Sequence, residues 1–317
     1  MKTVQLTRFG PPSVLKVRET DIPTYKADQI LIRVMAAGVN PVDAKTRRGL
    51  GFVAEKIKNN LPWTPGYDLS GVVKAVGEQV KNFKSGDEVY GMAGFPERGG
   101  AYAQFAVADV NEITRKPENI DFNCAAAVPL AALTAWQALH TTGHVQHGQR
   151  VLILAAAGGV GHFAVRFAKT AGATVIGTAS GRNKSFLLDT LGCDQFINYN
   201  DFSQVERLKD VDLIIDAVGE EYGALSLLTL KKDGLMVTLP TVTAGRILEE
   251  ADLAGLNATG MVVKTDMKNL GQITELIETG AVKISVEHVY PLREAFRAHE
   301  KIETGHVRGK LVLEMPH

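Results

Sequence analysis

A glycine-rich turn between an apolar strand and a helix constrains the fold of this chain more than any other segment. Residues 151–155 (VLILA) form a short apolar run typical of a buried strand, and AAAGGVG at 155–161 follows before a helical segment. A side chain at Gly158 would keep the backbone away from a pyrophosphate, and Gly161 lets the helix pack closely on the strand. The helix N-terminus adds unpaired N–H groups and a partial positive charge. The predicted phosphate contacts are Gly158, Gly159, Val160 and Gly161.

The turn departs from the common G-x-G-x-x-G form at its first position, which Ala156 occupies. A glycine pattern of this kind could also be an ordinary tight turn with no ligand. The segments that follow favour the nucleotide interpretation, because strand-like and helix-like runs alternate along them. The predicted strands lie at 175–178, 196–199, 211–218 and 235–240. This alternation predicts an α/β fold with a doubly wound parallel sheet and helices on both of its faces.

The segments on either side of this alternation have a different character, rich in strands and turns and typical of a small barrel. Strands are predicted there at 29–36, 71–76 and 88–91, and again at 286–292 and 309–315 in a hairpin-like arrangement. An Ala- and Leu-rich run at 124–139 predicts one helix. We therefore expect a discontinuous catalytic domain formed by residues 1–123 and 266–317, with a Rossmann nucleotide-binding domain at 124–265 inserted in it.

The end of the second strand of the alternation indicates which dinucleotide binds. Sheets that bind NAD place Asp or Glu there to hold the ribose hydroxyls. Residues 178–184 (TASGRNK) contain no carboxylate, but they contain a hydroxyl at Ser180 and cations at Arg182 and Lys184. These groups suit the additional phosphate of NADPH, although the two cations could also be solvated surface residues. NADPH is the predicted cofactor.

Charge and composition argue against several other classes of protein. The 35 basic and 35 acidic residues balance, so the chain lacks the basic field expected of a nucleic-acid partner. The longest apolar run, 124–139, is too short to span a membrane and contains Pro129. The two cysteines, Cys124 and Cys193, can form neither a disulfide framework nor a four-cysteine zinc site. They favour a reducing, cytoplasmic setting.

A set of segments spread along the chain carries a recognisable family pattern. These segments are GVNPVD (38–43), PGYDLSGVVKAVG (65–77), GDEVYG (86–91), GGAYAQFAV (99–107), AAAVPLAALTAWQAL (125–139), AAAGGVG (155–161) and RGKLVL (308–313). Together they resemble the medium-chain dehydrogenase/reductase superfamily, in its zinc-free quinone oxidoreductase branch, over essentially the whole chain. The resemblance implies a GroES-like β-barrel for the catalytic domain. It also implies a homodimer joined edge to edge through the nucleotide-binding sheets.

The resemblance also bears on zinc. Relatives that bind zinc place Cys where Asn40 stands and His where Tyr67 stands, and they carry four further cysteines after the equivalent of GDEVYG. This chain has none of these ligands, so we predict chemistry without zinc. The remaining candidates for a metal cluster are His140, His144 and His147. Gly143 and Gly148 interrupt the helix that would align them, so no metal site is expected.

Cofactor and acceptor contacts follow from the same resemblance. The implied contacts are Thr134 to the pyrophosphate, Ser180, Lys184 and Tyr199 to the 2′-phosphate, Val218, Leu239 and Pro240 to the ribose and nicotinamide, and Asn40 at the hydride-transfer site. The cleft between the two domains is expected to hold the nicotinamide against a small electrophilic acceptor.

Hydride transfer needs little from side chains beyond alignment, since the nicotinamide carries the reactive bond. Asn40 could hydrogen-bond the acceptor oxygen. Tyr67 could do the same, or donate a proton if its pKa were lowered, and water is an equal alternative. Trp63 and Phe95 are predicted to wall a pocket for a planar acceptor. Each has a structural alternative: Asn40 could tie down a turn, and the three aromatic residues could be ordinary packing, while residues 49–60 could form a mobile cover.

Two classes of function remain open as hypotheses. The first is an NADPH-dependent reductase of quinones or α,β-unsaturated carbonyls, with a 2-alkenal or enoyl reductase as its nearest alternative. The second is a non-catalytic NADPH-binding sensor or structural protein. Neither hypothesis includes a nucleic acid or a membrane as partner, and turnover of an acceptor distinguishes them.

Overall fold

The computed structural model describes residues 1–201 and 203–316. The chain divides into two compact units. Unit 1 consists of Met1–Leu133 and Lys264–His317, and unit 2 of Thr134–Val263. The sequence placed the first boundary between residues 123 and 124. In the structure it lies further along the chain, inside a helix that spans Pro129–Trp136.

The first segment of unit 1 is built mainly from strands. The strands are β1 (Lys2–Leu6), β2 (Leu15–Glu19), β3 (Gln29–Val39), β4 (Asp68–Val76), β5 (Glu88–Met92), β6 (Phe105–Asp109) and β7 (Ile113–Arg115). The helices are α1 (Pro41–Arg47), α2 (Gly51–Ile57) and α3 (Phe122–Ala126), and α4 (Pro129–Trp136) contains the boundary with unit 2. β1 and β2 form a separate antiparallel pair. β3 lies inside the larger sheet, where it pairs antiparallel with β4 and β6, and its Ile30, Ile32 and Val34 are buried.

The single helix predicted over 124–139 is wrong. α3 ends at Ala126, α4 begins with Pro129, and a π-helical turn follows at Gln137–Thr142. Proline has no backbone N–H and a fixed φ, so it suits the first position of a helix and disrupts the interior of one. In the parts of the chain that the structure describes, no helix is both long and apolar enough to cross a membrane.

Unit 2 contains the parallel sheet that the alternation predicts. Its elements are β8 (Arg150–Ile153), α5 (Gly161–Thr170), β9 (Thr174–Ala179), β10 (Gln195–Asn198), α6 (Ser203–Glu206), β11 (Val211–Asp216), α7 (Glu220–Ser226), β12 (Leu230–Thr238), α8 (Ala244–Ala254) and β13 (Asn257–Gly260). The strand order is β10-β9-β8-β11-β12-β13, and every pairing is parallel. The order reverses between β8 and β11, which is where such sheets bind their ligands. The α/β fold class is confirmed.

The C-terminal segment returns to unit 1. Its elements are α9 (Met267–Glu278), β14 (Val286–Pro291), α10 (Ala295–Glu303) and β15 (Lys310–Glu314). β15 pairs antiparallel with β3, with Val312 opposite Gly38. β14 pairs with β15 in parallel, so the hairpin-like arrangement expected for these strands is wrong. A parallel pair needs a crossover connection, which α10 supplies.

Candidate functional site

The residues predicted to hold the cofactor lie after the strands of unit 2. Because these strands are all parallel, their carboxyl ends share one edge of the sheet. The turn at 155–161 follows β8, and the other predicted contacts follow later strands: Ser180 after β9, Tyr199 after β10, Val218 after β11, and Leu239 and Pro240 after β12. Thr134 lies apart from these loops in sequence, on α4, and is buried.

The turn after β8 is held by the neighbouring strand. The N–H of Ala155 donates to Oγ1 of Thr178 at 3.2 Å, and the N–H of Ala156 donates to the Thr178 carbonyl at 2.9 Å. Ala155 has a φ of 53°, which is the left-handed region that favours glycine. The tight bend therefore falls at Ala155, one residue before the position where the sequence pattern placed it. Thr178 was missed as a contributor to this turn.

Gly161 is where α5 begins and where it approaches the turn most closely. A Cβ on Gly161 would lie 2.3 Å from the Ala155 carbonyl oxygen and 2.7 Å from the Ala156 Cα. A Cβ on Gly158 would meet only the Ala155 oxygen, at 3.2 Å. The start of α5 thus lies directly against the turn because residue 161 has no side chain. Residues 158–160 remain half-buried, so this helix N-terminus fits a phosphate group.

The loop after β9 presents polar and cationic groups. Ser180 is half-buried, and its Oγ accepts a hydrogen bond from the amide nitrogen of Asn183 at 3.2 Å. Arg182 and Lys184 have exposed side chains, and Tyr199 is tied to this strand end by a hydrogen bond from its N–H to the Ala179 carbonyl at 3.2 Å. This donor set fits a ribose phosphate better than it fits free ribose hydroxyls, for which an acidic acceptor is typical.

Asp216, at the end of β11, organises the next part of this edge. Its Oδ1 accepts hydrogen bonds from the N–H groups of Val218 at 2.9 Å and Gly219 at 2.7 Å. Its Oδ2 accepts one from the Thr238 hydroxyl on β12 at 2.7 Å. The buried carboxylate therefore joins the ends of two strands and fixes the loop that carries Val218. Nothing in the sequence distinguishes this acid from a surface one.

In unit 1, Asn40 belongs to a buried hydrogen-bonded group. Its Nδ2 donates to Oδ2 of Asp68 at 2.8 Å, and its Oδ1 accepts from Nζ of Lys310. Asp68 Oδ1 accepts from the Leu130 N–H at 2.7 Å, and Lys310 Nζ lies 3.6 Å from Asp68 Oδ2. The backbone N–H of Asn40 donates to Oδ2 of Asp43 at 2.8 Å in the first turn of α1. The backbone N–H of Asn40 thus closes the β3–α1 turn, whereas its side chain contacts Asp68 and Lys310.

Burial governs the charges of this group. The pKa of Asp43 is raised to about 7, chiefly by burial and also by the negative charge of Asp68, while the hydrogen bond from the Asn40 N–H opposes the rise. Burial also raises the pKa of Asp68 and lowers that of Lys310, and the attraction between these two opposes both shifts. The Tyr102 hydroxyl donates to Asp43 Oδ2 at 3.2 Å. Lys310, which the sequence did not single out, is the basic side chain of this group and contacts both Asn40 and Asp68.

The aromatic residues predicted to wall the pocket lie together. The ring centroids of Tyr67 and Phe95 are 4.9 Å apart, and those of Trp63 and Tyr67 are 6.2 Å apart. Phe52, on α2, lies edge-on to Phe95 at 6.3 Å. Trp63 and Tyr67 are buried, whereas Phe52 and Phe95 are half-buried and partly accessible. Residues 49–60, which were considered as a mobile cover, include the helix α2. Three apolar residues of this helix are buried, so it packs against the rest of unit 1.

Tyr67 does not meet the condition set for a proton donor. Its hydroxyl donates to the Pro96 carbonyl at 3.1 Å, and its side chain is buried. Burial raises the pKa of Tyr67 instead of lowering it, and the nearby carboxylate of Asp43 adds to the rise. The phenol therefore lacks the lowered pKa that proton donation would need, and the residue contributes its ring to the aromatic group.

The candidate metal and thiol groups do not form sites. Over residues 1–201 and 203–316, no group of three or more His, Cys, Asp or Glu side chains is arranged to hold a metal ion. Cys193 is buried and Cys124 is half-buried. Burial raises the pKa of Cys193 to about 12 and that of Cys124 to about 11, so both stay protonated at neutral pH. This agrees with small packing residues and not with nucleophiles.

Comparison with known proteins identifies matches over most of the chain. Residues 26–118 match the alcohol dehydrogenase GroES-like domain, and residues 191–313 match the zinc-binding dehydrogenase family. The quinone oxidoreductase of Coxiella burnetii is 45% identical with a TM-score of 0.96, covering 100% of this chain and 99% of that one. The Escherichia coli quinone oxidoreductase complexed with NADPH is 29% identical, with a TM-score of 0.87 and coverages of 99% and 100%. The 2-methylene-furan-3-one reductase of Solanum lycopersicum is 33% identical over 99% of this chain and 79% of its own length.

The contact of Gly161 with the turn generates a prediction. Gly161→Ala should weaken binding of a reduced nicotinamide dinucleotide by about tenfold or more, because the added Cβ would push α5 away from Ala155. Gly245→Ala on α8 is the matched control, since its Cβ would enter open space. Fluorescence titration measures both affinities, and equal affinities for the two variants would contradict the assigned role of Gly161.

Proposed function

This chain belongs to the medium-chain dehydrogenase/reductase superfamily, in its quinone oxidoreductase branch, and we propose that it transfers a hydride from NADPH to a quinone or an α,β-unsaturated carbonyl without zinc. The chain is an oxidoreductase that uses a nicotinamide cofactor. The loop after β9 supports NADPH as the cofactor. Ser180, Arg182 and Lys184 lie there in a segment that contains no acidic residue.

Each loop at the carboxyl edge of unit 2 would contact a different part of the cofactor. When bound, NADPH would supply the hydride. The turn at 158–161 would bind the pyrophosphate together with Thr134. The loops after β11 and β12, with Val218, Leu239 and Pro240, would support the ribose and nicotinamide. Ser180, Arg182, Lys184 and Tyr199 would bind the 2′-phosphate, and the similarity to a quinone oxidoreductase complexed with NADPH supports this assignment.

The acceptor proposal is based on unit 1. Phe95 and Phe52 are the accessible members of the aromatic group, and flat apolar surfaces suit a planar quinone or conjugated carbonyl. The amide nitrogen of Asn40 carries two hydrogens, one of which goes to Asp68. We assign the second to the acceptor oxygen, where negative charge develops. The proton then comes from water, since burial makes the Tyr67 phenol a weaker acid and its hydroxyl hydrogen is donated to the Pro96 carbonyl.

Chemistry without zinc follows from the groups present around Asn40. An amide and a phenol replace the thiolate and imidazole of zinc relatives, and both are poor zinc ligands. The Lys310 ammonium already lies against the Asn40 oxygen, and a second cation there would be repelled. The positive charge beside Asn40 would thus come from the Lys310 side chain and not from a metal ion.

We also propose a homodimer in which the β13 edges of two chains pair. Among the described strands β13 has only β12 as a neighbour, so its outer backbone groups are open to pairing. Leu253 on α8 is 82% exposed, and Val242, which precedes α8, is 65% exposed. Such apolar side chains favour a protein contact.

Sedimentation analysis tests the dimer and should show twice the 34.2 kDa chain mass. A purely monomeric protein at micromolar concentration would refute the pairing. We propose neither a nucleic acid nor a membrane as partner, and we propose a cytoplasmic location because Cys124 and Cys193 are both free thiols.

Turnover tests the proposed reaction. The purified chain should oxidise NADPH with 9,10-phenanthrenequinone at a kcat on the order of 1 s⁻¹ or more, and a chelator should leave this rate unchanged. A short 2-alkenal measured in parallel tests the alternative of a 2-alkenal or enoyl reductase, which the similarity to 2-methylene-furan-3-one reductase favours. Tight NADPH binding without turnover of either acceptor would instead support a non-catalytic sensor or structural protein. Loss of activity with the chelator would refute the zinc-free proposal.

A double substitution tests the phosphate pocket. Arg182→Ala with Lys184→Ala should weaken the binding of NADPH by about tenfold or more and that of NADH by less than about twofold. Only NADPH carries the additional phosphate that the two cations would contact. Lys209→Ala with Lys232→Ala is the matched control, because these exposed lysines lie near the amino ends of β11 and β12, at the opposite edge of the sheet. Equal weakening of both dinucleotides by the first pair would refute the pocket.

A further inference from the structure

Asn183 lies behind Ser180, in the loop after β9. Its side chain is 8% exposed, and its Nδ2 donates to the Ser180 Oγ at 3.2 Å. Its backbone N–H donates separately to the Ser180 carbonyl at 2.9 Å, closing the short helical turn Gly181–Asn183. The backbone of this turn is therefore closed without the Asn183 side chain. That side chain makes a separate contact, with the Ser180 hydroxyl of the predicted phosphate pocket.

The direction of this hydrogen bond decides what Ser180 can offer a ligand. A hydroxyl has one hydrogen and two lone pairs. When Oγ accepts from an amide N–H, its own hydrogen remains to be donated elsewhere. A phosphate accepts hydrogen bonds and repels acceptors, so a serine oriented in this way favours a phosphate. A serine that donated its hydrogen to a neighbouring carboxylate would present lone pairs to the ligand and disfavour one.

We propose that Asn183 is a positioning residue for the 2′-phosphate, which holds the Ser180 hydroxyl with its hydrogen available to that group. The inference rests on the proposed use of NADPH, and it adds a residue that selects between the two dinucleotides without touching either of them. Arg182 and Lys184 supply charge from exposed positions, where water and salt weaken their attraction. The buried Asn183 amide instead determines where the hydrogen of the Ser180 hydroxyl points.

Two substitutions distinguish an effect of Asn183 on the orientation of the Ser180 hydroxyl from a role in packing. Asn183→Asp keeps the shape of the side chain but replaces the donor by an acceptor, so the Ser180 hydrogen turns toward it. Asn183→Ala removes the donor without adding charge. Calorimetry with 2′,5′-ADP and 5′-AMP measures the pocket without turnover. The Asp variant should lose about tenfold or more in affinity for 2′,5′-ADP, the Ala variant a smaller factor, and both should keep their affinity for 5′-AMP within about twofold.

The control is Asn119→Asp in unit 1, where the amide donates to the Ile277 carbonyl at 2.9 Å, far from this loop in sequence. It should leave both affinities unchanged. If the unsubstituted chain bound 2′,5′-ADP no better than 5′-AMP, the NADPH proposal and this inference would both fail. If that preference were present and both Asn183 variants retained it, the inference alone would be overturned. Equal weakening of both probes would also overturn it, since that is the effect of a merely structural residue. Should the Asp variant not fold, the Ala variant decides.

Discussion

The contact between Gly161 and the turn at Ala155 is the constraint on which the carboxyl edge of the parallel sheet depends. Ala155 adopts a left-handed conformation that costs about 1–2 kcal/mol for a residue with a Cβ. Thr178 stabilises this conformation through hydrogen bonds to Ala155 and Ala156. Gly161 can then begin α5 directly on the turn, which brings the helix N-terminus to the place where the strand order reverses. The phosphate site proposed for this edge depends on that geometry.

The parts of this arrangement that could be predicted from sequence are the local ones. The apolar strand, the glycines and the following helix occur within about twenty residues, and their spacing is characteristic. The hydrogen-bond partners within each unit could not be predicted, because they are set by tertiary contacts. Asn40 and Lys310 are 270 positions apart, and Asp216 and Thr238 meet across two strands. The edge strand β13 was missed for a related reason, since NATG has no apolar pattern and none of its residues is buried.

Burial also explains why the chemistry assigned to single residues was harder to predict than the fold. Tyr67 and Phe95 were both expected at a pocket wall, yet one is buried and the other is partly accessible. The difference decides the pKa of the phenol, which rises because the phenolate would lose its hydration. The same effect acts on Asp43, Asp68 and Lys310. Such a buried group is maintained as a unit, because removal of one charge would leave its partner uncompensated at a cost of about 3–5 kcal/mol.

The group around Asn40 also bears on which acceptors suit the proposed reaction. A zinc ion polarises a carbonyl as a Lewis acid, which assists an unactivated ketone or aldehyde. When the oxygen of an amide accepts a hydrogen bond from an ammonium, the N–H groups of that amide donate more strongly than those of an isolated amide. Such an amide still withdraws far less charge from the acceptor than a metal ion does. A quinone or an α,β-unsaturated carbonyl needs less help, since conjugation spreads the developing charge over the acceptor itself. On the proposed function, the replacement of a metal ligand by Asn40, with Lys310 against its oxygen, and the preference for conjugated acceptors are therefore two aspects of one electrostatic arrangement.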